Sequence, residues 1–304
     1  MQQRQLGDSG IDVSIVGLGC NNFGGRLDLE GSRAVVDAAL DAGITFFDTA
    51  YSYGKGLSEE FLGESLRGRR DRVVLATKFG SRSEDAGGLR KGSKEYMRGH
   101  LATSLERLQT DYVDLYYLHY PDPETPMAES LGAMQELVDE GLVRAIGCSN
   151  FSAEQLREAE SLARKSGRTH FSALENNYNL LERDAEEETL PLCREYGVGF
   201  VPYFPLASGL LTGKYERDTP PPPGSRLEDW SLPLPDDPWD RIEALDAFAR
   251  ERGHTLLELA IAGLASRPGV ASVIAGATKP EQARTNAAAG EWQLSAEDLA
   301  ALPS

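Results

Sequence analysis

Residues 44–79 read ITFFDTAYSYGKGLSEEFLGESLRGRRDRVVLATKF. An apolar, aromatic run, Ile44–Phe47, comes first. An amphipathic stretch, Ser58–Leu66, follows, and then the β-branched run Val73–Thr77. Short apolar runs bounded by turn residues predict buried strands, and the longer periodic stretch between them predicts a helix. The step from one run to the next is about thirty residues, the length of one strand–helix unit. The same alternation extends outward in both directions. Upstream lies Ser14–Leu18; downstream lie Val113–Leu118, Val143–Gly147, Phe171–Leu174, Val198–Pro202 and Ala271–Ala275. Helix-like segments fill the gaps, among them Gly31–Ala42, Lys94–Leu108, Met127–Glu140, Ala153–Lys165 and Ala185–Tyr196. Eight such units predict an α/β fold, a closed parallel (β/α)8 TIM barrel, with reactive groups at the C-terminal ends of the strands.

Local signals agree. Ser152 with Gln155 three residues on reads as a capping box. Pro126 stands where a helix start tolerates the missing N–H. Gly43 and Gly141 follow helix ends as C′ residues. At the N-terminus, Gln3–Leu6 and Ile11–Ser14 flank Gly7-Asp-Ser-Gly10, a hairpin pattern expected to plug the bottom of the barrel. No linker divides the chain, so residues 1–304 are expected to form a single barrel domain. Two stretches break the rhythm: the polar loop Ser81–Gly92, and Ala207–Pro238 with its four consecutive prolines, Pro220–Pro223. The latter is expected to form a substrate wall through Trp230 and Leu232, which are costly to expose.

The formal net charge of -17 argues against nucleic acid and anionic membrane surfaces as partners. No apolar run approaches a membrane span, and the start lacks the apolar core of a signal peptide. The three cysteines, Cys20, Cys148 and Cys193, have no paired spacing. Reduced thiols and a cytoplasmic location are expected.

Four residues near predicted strand ends carry the chemistry. Asp48 and Tyr53 lie in FFDTAYSYG, Lys78 ends VVLATK, and His119 follows VDLYYL. A phenol is a weak acid, with a reference pKa of about 10, but an adjacent ammonium favours the phenolate. An aspartate would hold that ammonium, and an imidazole would orient a substrate oxygen. The set suits proton delivery to a carbonyl. Taken singly, His119 reads as a core histidine, Lys78 as half of a structural ion pair, Asp48 as a turn cap and Tyr53 as a packing aromatic. Four such coincidences at one face are harder to accept than a site. GLGCNNFGG (17–25) is not the glycine pattern of a Rossmann turn, there is no P-loop, and four scattered histidines argue against a metal centre.

With DTAYSYG, LATKF, LYYLHYPD, VRAIGCSNF and VPYFPLASGLLTGKY in view, the chain resembles the aldo-keto reductase superfamily along nearly its whole length. The resemblance implies NADP(H), less often NAD(H), bound without a Rossmann domain. It also implies a small-molecule carbonyl or alcohol as substrate. It makes Tyr53 the general acid/base, Lys78 with Asp48 the groups that lower its pKa, and His119 the residue that orients the carbonyl. Ser149 and Asn150 match residues that hold the nicotinamide carboxamide, and Tyr203 the aromatic that stacks on the ring. Phe204, Pro205, Leu206, Ala207 and Ser208 match the pyrophosphate loop. Lys214 and Arg226 fit cationic positions near the phosphates. Gly276, Thr278, Gln282 and Asn286 match the adenosine end, and Cys20 and Asn21 the end of the first strand.

The sequence departs from the family pattern in places. Gln282 stands where many members have an arginine for the 2′-phosphate, so that role falls to Lys279 or Arg226. Glu175 stands where many have glutamine, beside the nicotinamide ring. Asn21 replaces a frequent bulky aromatic. The long C-terminal substrate loop of some members is missing, so an open site is expected. Two other functions share the motifs: an oxidising sugar or alcohol dehydrogenase, and a potassium-channel beta subunit acting as a redox-sensing binding partner. His119 and the intact GCSN favour an enzyme over the regulatory partner.

Overall fold

The computed structural model describes residues 1–229 and 238–303, without the side chains of Arg226 and Asp229. Trp230 and Leu232 therefore lie outside the described residues. Two short strands, β1 (Gln3–Gln5) and β2 (Asp12–Ser14), pair antiparallel as the expected hairpin. Eight parallel strands follow: β3 (Val16–Gly19), β4 (Phe46–Asp48), β5 (Val74–Phe79), β6 (Val113–Leu118), β7 (Val143–Ser149), β8 (Ala173–Asn177), β9 (Gly199–Tyr203) and β10 (Val273–Gly276). They are neighbours in sequence order, with β10 pairing β3. Hydrogen bonds from Phe200 N to Gly269 O (2.9 Å) and from Ala271 N to Phe200 O (2.8 Å) join β9 to the approach of β10 and bring the sheet round into a barrel.

The connections carry helices α1 (Leu29–Asp41), α2 (Leu57–Ser65), α3 (Lys94–Leu108), α4 (Met127–Asp139), α5 (Ala153–Ser166) and α6 (Thr189–Tyr196). The later ones are α7 (Arg226–Asp229), α8 (Trp239–Glu251), α9 (Leu256–Ala265), α10 (Pro280–Ala289) and α11 (Ala296–Ala300). The Ser152–Gln155 capping box forms as read. The expected first helix begins earlier than Gly31, because the Asp28 side chain accepts from Gly31 N and caps it. The expected Ala185–Tyr196 helix splits into a 3-10 turn, Asp184–Glu186, and α6.

Every barrel strand except β6 ends one to three residues beyond its apolar run. Those extra residues include Asp48, Lys78, Ser149, Glu175, Tyr203 and Gly276. The hydrogen-bond ladder continues after the hydrophobic pattern stops, since register depends on backbone pairing while the apolar run records only burial. Side chains two apart share a strand face. Thus Phe46 and Asp48, Ala76 and Lys78, Ala173 and Glu175, and Val201 and Tyr203 stack in pairs up the barrel.

The lower members of these pairs belong to one buried cluster with Leu115 and Ile274, which also takes in Leu6, Ile11 and Val13 of the hairpin. The hairpin is the stopper of the barrel floor. Gly7 makes this contact possible: its φ is +59°, and a Cβ there would lie 2.4 Å from both Gly197 O and Ser172 O. Arg4 adds hydrogen bonds to Ala265 O and Val270 O, and His170 sits between Asp8 and Glu160. Among the described residues, no helix is long and apolar enough to cross a membrane.

Candidate active site

The ends of β4, β5 and β8 bring three charges together beneath one cavity. Lys78 is completely buried, and its Nζ lies 2.5 Å from Asp48 Oδ2 and 3.3 Å from Glu175 Oε2. It also donates to Thr49 O at 3.1 Å. A buried lysine is tolerable only with such partners. Tyr53 reaches the same point from the turn after β4. Its ring centroid is 5.2 Å from Lys78 Nζ and 5.9 Å, edge-on, from the His119 ring. Asn150 ties in the far side: its Nδ2 donates to His119 O (3.0 Å), and its Oδ1 accepts from the Tyr203 hydroxyl (2.7 Å). The four residues singled out for chemistry are therefore one constellation.

Burial dominates the protonation states. It raises the Tyr53 phenol above its ordinary value; Lys78 pulls the other way, and Asp48 and Glu175 add to the rise. Lys78 thus lowers the phenol as expected, but Asp48 raises it, and burial with the two carboxylates outweighs the one ammonium. Lys78 itself ends above its ordinary value: burial lowers it, but Asp48, Glu175 and Tyr53 together more than compensate. Burial, helped by the Lys78 charge, lowers His119 to about 3, so the imidazole is neutral. Burial, with Asp48 adding, pushes Glu175 up to about 8 against the pull of Lys78.

Above this floor opens a cavity of about 950 Å³, within the range of small-molecule sites. Its wall includes Tyr53, His119, Ser149, Asn150, Glu175 and Tyr203. Of the other residues expected to meet a cofactor, it includes Asn21, Asp48, Phe204, Pro205, Leu206, Ser208 and Lys214. Gly276, Thr278, Lys279, Gln282 and Asn286 line the side formed by β10 and the start of α10. Gln282 Oε1 accepts from Thr278 N (2.7 Å) and its hydroxyl (3.1 Å), and Asn286 Nδ2 donates to Gly276 O (3.4 Å), which fixes that rim.

Two expected contacts fall elsewhere. Cys20 is fully buried with its thiol toward Leu18 O, so it supports the wall from behind. Ala207 packs onto the hydrophobic core as a 3-10 turn begins. Arg226 opens α7, and its side chain is not among those described. Sequence reasoning missed Asn22, Arg26, Ser52, Ser81, Ser83 and Tyr120, all of which line the cavity. They are scattered loop residues with no periodicity to expose them. Of the long loop expected to form a wall, Pro222–Ser225 do line the cavity.

The site has the features a nicotinamide dinucleotide needs. The His119 Nδ1 and Asp48 Oδ1 atoms are buried without a hydrogen-bond partner among the described residues. The loop after β9 holds Phe204, Ala207 and Ser208 at φ of 54°, 45° and 57°, where non-glycine residues are strained. Such strain collects at ligand-binding loops. The start of a ten-residue helix, α10, borders the cavity and favours anionic groups.

The barrel with its polar face at the C-terminal strand ends has the form of an oxidoreductase that holds its cofactor without a separate nucleotide-binding domain. The chain belongs to the Aldo/keto reductase family, whose model matches residues 15–304. It is 40% identical over 295 residues to the "Probable voltage-gated potassium channel subunit beta" of Oryza sativa subsp. japonica, spanning 93% of this chain and 89% of that protein. It is 36% identical over 308 residues to "Aldo-keto reductase YhdN" of Bacillus subtilis (strain 168), spanning 98% and 91%. It is 35% identical over 310 residues to "Probable aldo-keto reductase 1" of Glycine max, spanning 98% and 87%. The protein is an oxidoreductase of a family that uses nicotinamide cofactors on small-molecule carbonyl compounds.

Proposed function

We propose that this enzyme reduces aldehydes or ketones to alcohols with NADPH, with Tyr53 as general acid. The observation that carries the reading is Lys78, wholly buried between Asp48 and Glu175 with its Nζ 5.2 Å from the Tyr53 ring centroid at the floor of the cavity. A bound nicotinamide cofactor supplies the hydride to the carbonyl carbon. Tyr53, kept protonated by burial, delivers the proton to the carbonyl oxygen. Lys78 limits the cost of the phenolate left behind, and Asp48 holds Lys78 in place. Neutral His119 orients the carbonyl oxygen. Ser149 and Asn150 would hold the carboxamide, and the Tyr203 ring, fixed through Asn150, would support the nicotinamide. The strained loop from Phe204 to Ser208 would hold the pyrophosphate with Lys214. Lys279 on the cavity rim would meet the 2′-phosphate and so favour NADP over NAD. A cytoplasmic location accords with three buried free cysteines.

The same residues run in reverse would oxidise a sugar or other alcohol. A third reading, a cofactor-sensing partner of a membrane channel, is favoured by the name of the rice relative. Presence of His119 in the constellation supports turnover instead. Absorbance of the reduced cofactor, followed with a simple aromatic aldehyde and with each nicotinamide, separates them. Steady NADPH consumption with formation of the alcohol is expected. Tight cofactor binding without turnover across an aldehyde and ketone series would overturn the enzymatic reading.

A further inference from the structure

Lys78 faces two carboxylates, Asp48 at 2.5 Å and Glu175 at 3.3 Å. With all three ionised, this buried triad carries an excess negative charge. The two carboxylates are not equivalent. Asp48 takes the short, hydrogen-bonded contact. Glu175 Oε2 is at ion-pair distance but has no hydrogen-bond partner among the described residues, and Glu175 borders the cavity alongside Ser149, Asn150 and Tyr203. A buried carboxylate in that position is costly unless it takes up a proton or a cation stands over it.

We propose that Glu175 is a proton store coupled to the cofactor's oxidation state: it holds a proton while the ring above it is neutral and releases it to solvent when the ring is cationic. This deepens the nicotinamide reading above and rests on it. The balance is simple. The oxidised ring carries one positive charge that the reduced ring lacks, and Glu175 answers with one negative charge by losing one proton through the open cavity.

The groups facing Glu175 leave it as the one that titrates near neutrality. From β4, Asp48 is raised from its ordinary value by burial against the pull of Lys78 of β5, but it takes the short hydrogen bond from that ammonium, which favours its ionised form over that of Glu175. From the turn after β4, Tyr53 is pushed above its ordinary value by burial, and so is Tyr117 of β6. Tyr203 of β9 is raised to about 12, mainly by burial. His119, after β6, is lowered to about 3 by burial and Lys78, so it stays neutral. Glu175, raised to about 8 by burial and Asp48, is mostly protonated at pH 7. A purely structural Glu175, anchoring Lys78 and nothing else, would exchange the same number of protons with either form of cofactor.

Titration calorimetry of the full chain tests this. NADP⁺ and NADPH are each bound at pH 7 in two buffers of different ionisation enthalpy, which yields the protons released in each case. Contributions from the 2′-phosphate and the adenosine side are common to both and cancel in the difference. NADP⁺ is expected to release close to one proton more than NADPH. Glu175→Gln is expected to abolish that difference and, at pH 9, to shift the Kd ratio toward NADPH by roughly a hundredfold, the change that linkage requires when one proton is lost at pH 7 from a group near 8. Equal proton counts in the wild-type protein, or a difference that survives Glu175→Gln, would overturn the proposal while leaving the nicotinamide reading intact. Failure of both cofactors to bind would overturn the two together.

Discussion

Phe46 and Asp48 stand on the same face of β4, one pleat apart, yet they belong to opposite ends of the molecule. The lower end of the barrel is an apolar plug, where Leu6, Ile11 and Val13 of the hairpin pack against Phe46, Ala76 and Ala173. The upper end, built by the next inward positions of the same strands, is a buried ion cluster open to a cavity. Burial alone accounts for the plug: each side chain gains by leaving water. It does not account for the upper layer, since removing two carboxylates and an ammonium from water is unfavourable without compensation. The upper layer makes sense only as chemistry, and the lower as stability.

This division can be broken at either end. Lys78→Met should have the largest effect, because at the upper end it changes both the chemistry and the balance of the buried charges. It removes the cation that stabilises a Tyr53 phenolate and leaves Asp48 and Glu175 without it. Turnover should fall by roughly 10²–10⁴-fold, and unfolding free energy by about 3–5 kcal/mol in denaturant titration. Near-normal kcat would mean that Lys78 is only structural. Leu6→Ala attacks the plug alone. It should cost about 2–5 kcal/mol of stability with kcat and KM unchanged at temperatures where the protein remains folded. A matching loss of kcat would show that the two ends are coupled. Lys279→Ala sharpens the account of the cavity rim. Loss of a charge-assisted contact to a phosphate should raise KM for NADPH by roughly tenfold and leave KM for NADH nearly unchanged. Equal effects on both would place Lys279 at the shared pyrophosphate.

The barrel was legible because strands and helices alternate at a constant step, and the hairpin because its apolar positions flank a glycine-bounded turn. The reactive set was legible for a related reason. Asp48, Lys78 and His119 are polar residues set at the ends of apolar runs, which places them at the C-terminal face of the barrel. The cavity's outer parts were not legible. Arg26, Ser52 and the pair Ser81 and Ser83 lie in three separate loops and meet only because the barrel closes. The positive φ values of Phe204, Ala207 and Ser208 were equally hidden, since local rules assign that conformation to glycine or asparagine. The sign of the Tyr53 shift was missed for a third reason. Sequence reading placed the lysine beside the phenol but could not weigh complete burial against it.

The central claim is that Tyr53 is the proton donor of a nicotinamide-dependent carbonyl reduction. Tyr53→Phe keeps the ring beside His119 and removes the hydroxyl, so it isolates that role. The measurement is kcat for an aromatic aldehyde, paired with the Kd of NADPH from cofactor fluorescence. A fall in kcat of roughly 10²–10⁴-fold, with Kd within about twofold of wild type, is expected. Retention of near-wild-type kcat would contradict the account and move the proton donor to another group.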